Sequence, residues 1–130
     1  MMLNPYNLGA CGMVQMFHGG TVDFDTTGIA EGIVLCNIPK GTFITKAVAV
    51  VRTAFNAATT NVLTVGFKES MDGFMGASDI TAGTAGVYKK ELFVEGGENT
   101  EIFVKYTQTG TVATAGTADI YLEVVPGPEP

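Results

Sequence analysis

Four segments of the chain alternate apolar and polar side chains with a period of two, and this pattern constrains the fold more than any other feature. In residues 61–68, Leu63, Val65 and Phe67 alternate with Thr64, Gly66 and Lys68; in residues 101–107, Ile102, Val104 and Tyr106 alternate with Phe103 and Lys105. Residues 117–125 set Ala118, Ile120, Leu122 and Val124 against Asp119, Tyr121 and Glu123. Successive side chains of a strand point to opposite faces, so these runs predict strands with one face buried and one wet. The longest candidate, residues 42–55, places Ile44, Val48, Val50 and Ala54 on one face and Thr45, Ala47, Ala49, Val51 and Thr53 on the other. Lys46 and Arg52 interrupt the first face near its ends. Val48, Val50, Leu63, Val65, Ile102, Val104, Ile120 and Leu122 are the expected core.

Weaker strands are expected in residues 21–25, 32–37 and 86–94, giving seven or eight in all, and no segment carries a sustained 3.6-residue stripe. Pro39-Lys40-Gly41, Asn56-Ala57-Ala58, Asp72-Gly73, Gly96-Gly97 and Gly110 supply turn chemistry between them. The expected architecture is all-β: an antiparallel β-sandwich over residues 21–125, an extended N-terminal arm over residues 1–20, and a flexible C-terminal tail over residues 126–130. Three prolines in that tail remove the donors a ladder needs. The arm lacks periodicity but carries Leu3, Tyr6, Leu8, Met13, Met16 and Phe17, which call for a partner surface. Thr81-Ala82-Gly83-Thr84-Ala85 and Thr114-Ala115-Gly116-Thr117-Ala118 echo one another, and are expected to be similar loops feeding equivalent strands of two sheets.

With 46% apolar and 15% charged residues, the chain can bury a core and is no solvating, disordered polymer. Its net charge of −6 and scattered basic residues argue against nucleic acid, because phosphate binding needs clustered Lys or Arg. No apolar run approaches the length that spans a bilayer, so no membrane partner is expected. Cys11 and Cys36 stand in a chain whose start lacks the charged and apolar regions of a secretory signal, and two free thiols in a reducing cytosol are expected.

A search for reactive groups returns little. His18 is the one histidine, and Ser70 and Ser78 lie outside any nucleophile motif. Asp23 and Asp25 are expected on one strand face, and Glu95, Glu98 and Glu101 surround a Gly-Gly turn, but neither set has the loop that encloses calcium. Gly73 and Gly76 do not open a helix, so no phosphate cradle is expected. No catalytic, cofactor-binding or metal residue is assigned, and a structural or binding protein is expected rather than an enzyme.

One stretch carries a resemblance: Ile38-Pro39-Lys40-Gly41-Thr42-Phe43-Ile44-Thr45-Lys46-Ala47-Val48-Ala49-Val50-Val51, then Thr53-Ala54-Phe55-Asn56, Asn61-Val62-Leu63-Thr64-Val65-Gly66 and the two Thr-Ala-Gly-Thr-Ala loops. In this order they resemble small virion proteins of tailed bacteriophages, the match running from about residue 30 to residue 125. The resemblance implies a jelly-roll-like sandwich acting as a capsid decoration or cement protein, made in the host cytoplasm and placed on the outer capsid surface at subunit junctions. It implies the major capsid protein and further copies of the chain, as dimer or trimer, as partners, with Leu3, Tyr6, Leu8, Met13, Met16 and Phe17 as contacts. A tail or head-tail joint protein is one alternative. A carbohydrate-binding module is another; it would use Tyr88, Tyr106 and Tyr121, though the chain has no Trp.

Overall fold

Seven strands carry the computed structural model, which describes residues 15–96 and 100–125: β1 (Gln15–Asp23), β2 (Ile33–Ile38), β3 (Phe43–Thr53), β4 (Thr60–Gly66), β5 (Gly86–Glu95), β6 (Thr100–Thr109) and β7 (Thr117–Val125). They form a four-stranded sheet in the order β1-β7-β3-β5 and a three-stranded sheet in the order β2-β6-β4. Every strand pair is antiparallel. Beyond β4 a single bridge joins Val65 to Met75, where Val65 and Met75 exchange backbone bonds of 3.0 Å. That bridge stands at the place of an eighth strand, and with it the order is that of a jelly roll. Phe74 and Met75 are both fully buried, so this stretch cannot alternate, and the Asp79 carboxylate bonds the Gly76 amide to turn the chain away.

Apolar side chains of both sheets meet in one core. Leu63 and Val65 of β4, Ile102, Val104 and Tyr106 of β6, and Ala118, Ile120 and Leu122 of β7 are at most 1% exposed. Phe55, Phe74 and Ile80 join them from loops. Burying a side chain of this size contributes about 1.5–3 kcal/mol, so the alternation read from the sequence accounts for much of the driving force.

β3 departs from the expected face. Its register shifts between Ile44 and Lys46: against β7 Thr45 is the inserted residue of a bulge, and against β5 the extra residue lies in β5, where Leu92 and Phe93 oppose Thr45. The Thr45 hydroxyl donates to the Glu123 carboxylate at 2.9 Å. A bulge reverses the side-chain parity that follows it. Ile44 therefore faces the core together with Ala47, Ala49 and Val51, while Val48 and Val50 lie on the outer face. Val50 is half-buried rather than core; Val48 is buried although it faces outward.

β1 begins at Gln15 rather than at Thr21, so residues 15–20 belong to the sheet and not to an arm. Gly19 and Gly20 lie close against their neighbours: a Cβ on Gly20 would stand 2.6 Å from Leu35 Cδ1, and one on Gly19 3.2 Å from Ile120 O. Asp23 is the last residue of β1 and Asp25 lies in the turn beyond, so the two do not share a strand face.

The two Thr-Ala-Gly-Thr-Ala segments precede β5 and β7, which belong to one sheet and flank β3 on either side, not to two sheets as expected. Both hold the chain leaving β3. The Phe55 amide donates to Ala82 O at 2.9 Å, and the Asn56 amide to Ala115 O at 3.3 Å. Asn56 returns the contact, its Oδ1 accepting from the amides of Thr114 and Ala115.

Candidate docking face of the four-stranded sheet

The outer face of the four-stranded sheet is built in rows across the strands. Met16, Glu123, Lys46 and Glu91 form one row; His18, Tyr121, Val48 and Lys89 the next; Thr21, Asp119, Val50 and Val87 the third. Lys46 and Arg52, which interrupted the apolar series of β3, were the signal that this face is wet.

Asp119 organises the face and is only 8% exposed. The Thr21 hydroxyl donates to its Oδ1, Arg52 Nε donates to its Oδ2, and His18 Nε2 stands 3.4 Å from Oδ1. The Thr21 hydroxyl bond, helped by Arg52 and His18 against the effect of burial, holds the Asp119 carboxyl below the usual carboxylate range. The hydrogen bond that Arg52 donates to Asp119, with a second donated to Tyr121, raises the Arg52 pKa further. His18 also stacks at a tilt on Tyr121, with ring centroids 5.0 Å apart. A carboxylate so engaged is a poor base. It fixes Arg52 and His18 in place, and their half-exposed side chains are presented as donors.

Apolar groups surround this polar centre. Met16 is 50% exposed, Val87 61% and Phe93 73%, and Phe93 stacks on Phe43 with centroids 4.9 Å apart. Fixed donors within an apolar surround suit a protein partner.

Of the residues expected to make contacts, Met16 lies on this face, and Phe17 sits in β1 opposite Leu122. Leu3, Tyr6, Leu8, Met13 and Cys11 fall outside the described residues. Cys36 carries a free thiol, and burial pushes its pKa up. Among the described residues no group of three His, Cys, Asp or Glu side chains is placed to hold a metal.

The three tyrosines do not make one platform. Tyr106 points inward and donates to Asn61 with its ring against Phe55, Tyr88 packs against the core with its hydroxyl on Thr84 O, and Tyr121 alone faces outward. A recess of about 270 Å³ on the other sheet is lined by Thr64, Met71, Asp72, Lys105 and Thr107, without an aromatic ring.

No family model matches the chain, and no curated protein matches it in sequence. Among solved structures it is similar to a chain of the cyanophage Pam1 capsid asymmetric unit, with a TM-score of 0.70, 23% identity, and 88% of this chain and 86% of that one covered. It is similar to a chain of the acid-stable capsid of Helicobacter pylori bacteriophage KHP30, with a TM-score of 0.58, 12% identity, and 87% and 93% covered. The crystal structure of the infectious bursal disease virus VP2 subviral particle matches with a TM-score of 0.52 and 13% identity over 89% of this chain, which spans 33% of that one. At these identities the shared property is the fold.

Proposed function

We propose that the protein is a structural component of a phage virion, a decoration or cement protein bound to the outer capsid surface at junctions between subunits of the major capsid protein. The observation that carries this is the nearly end-to-end match, on both sides, to chains of two phage capsids: those chains are about as long as this one and share its whole fold, not one domain of a larger protein. The docking face supports the same reading. A rigid sandwich with fixed donors and exposed Met16, Val87 and Phe93 adds buried area at a seam, and buried area is what holds a shell under internal pressure. The apolar residues before Gln15, Leu3, Tyr6, Leu8 and Met13, supply a second contact.

Cryo-electron microscopy of purified particles tests the proposal. Density for this sandwich is expected outside the shell where capsid subunits meet. Its confinement to the tail or the head-tail joint, or its absence from particles, would overturn it.

A further inference from the structure

Edge strands carry unpaired backbone groups and are usually shielded. Among the described residues, β1 and β2 close on one another through Gly20 and Leu35, and β4 is bridged by Met75. Among these residues β5 pairs with β3 alone, leaving its other edge open along the strand Gly86–Glu95. Its outward side chains are Val87, Lys89, Glu91 and Phe93, all exposed. The series runs apolar, positive, negative, apolar.

We propose that this edge pairs with the same edge of a second copy, antiparallel and centred on Lys90, so that the two four-stranded sheets join into one. A twofold axis normal to the sheet keeps both cores on the same side, so opposed residues must share a face, and a register centred on one residue satisfies this. In that register Val87 lies opposite the partner's Phe93, and Lys89 opposite the partner's Glu91; symmetry makes each pair twice. On the inner face Tyr88 meets the partner's Leu92. Lys90 meets its own copy there, but each is already held by its own Asp79 at 3.1 Å. Lysine on an edge ordinarily deters pairing. Here Lys89 gains a carboxylate, and backbone bonds supply affinity while the side-chain pairs set the register.

Sedimentation of the full chain over a dilution series tests this without any capsid. The wild type is expected to dimerise. Lys89→Glu and Glu91→Lys each place like charges opposite one another twice, and each should weaken the dimer by about tenfold or more. The double variant K89E/E91K should restore it to within about threefold, since the pairs are re-formed with their signs exchanged. That restoration also shows that neither substitution spoils the fold. A monomeric wild type, a dimer indifferent to the single reversals, or a double variant as weak as the singles overturns the proposal.

Discussion

Two residues show how much a single position carries in this sandwich. Asp119 is ionised well into the acid range because Thr21 and Arg52 donate to it. A carboxyl whose folded pKa is depressed stabilises the fold above its unfolded value, near pH 4, and that contribution is lost as pH falls through the lower folded value. Asp119→Asn should therefore lower stability at neutral pH and flatten its loss below about pH 4, as read by thermal melts across that range. Gly116 is constrained by space. It adopts φ 149°, and a Cβ there would lie 2.4 Å from the Phe55 ring. Gly116→Ala should cost about 1–3 kcal/mol in chemical denaturation, because Phe55 is fully buried and has nowhere to retreat.

At the scale of the element, the bulge at Thr45 decides which face of β3 is inside. Ala49 is fully buried against the opposite sheet, whereas Val50 faces outward. Ala49→Leu should thus destabilise by about 1–3 kcal/mol through overpacking. Val50→Thr should change stability by less than about 1 kcal/mol. Leu122→Ala, on the regular β7, should cost about 2–5 kcal/mol. Equal effects at positions 49 and 50 would mean that the bulge is misplaced. These strands also show what was legible beforehand. β7 was readable because its apolar residues alternate with Asp119, Tyr121 and Glu123 from Ala118 to Val124. β3 was readable as a strand but not by face, since one inserted residue reverses parity without changing composition. β1 was half hidden: Gly19 and Gly20 are turn signals in a sequence, whereas in the strand they sit at a register shift, close to Leu35 and Ile120. The eighth strand was invisible, as Phe74 and Met75 are adjacent and both buried. The Asp119 cluster was equally unreadable, because it joins residues 18, 21, 52 and 119 from three strands.

For the whole molecule, the seven strands of both sheets are supplied, among the described residues, from Gln15 onward. Deleting residues 1–14 should leave the β spectrum and melting temperature nearly unchanged by circular dichroism. If those residues attach the protein to a shell, the same deletion should weaken binding to particles severely, because many copies act together. Loss of the folded spectrum would show instead that the segment belongs to the core.

The strand order also has a temporal side. β7 lies between β1 and β3, and among the described residues β1 has no other hydrogen-bonded neighbour in its sheet. On the ribosome, β1 emerges first and waits for the last strand of the sandwich to leave the exit tunnel before it finds its place. Folding is therefore dominated by closures between distant parts of the chain, the regime in which domains fold in milliseconds to seconds. Until then the open edges of a half-made sheet are exposed to a crowded cell, so a chain of this topology depends on the nine residues of β7 to escape aggregation.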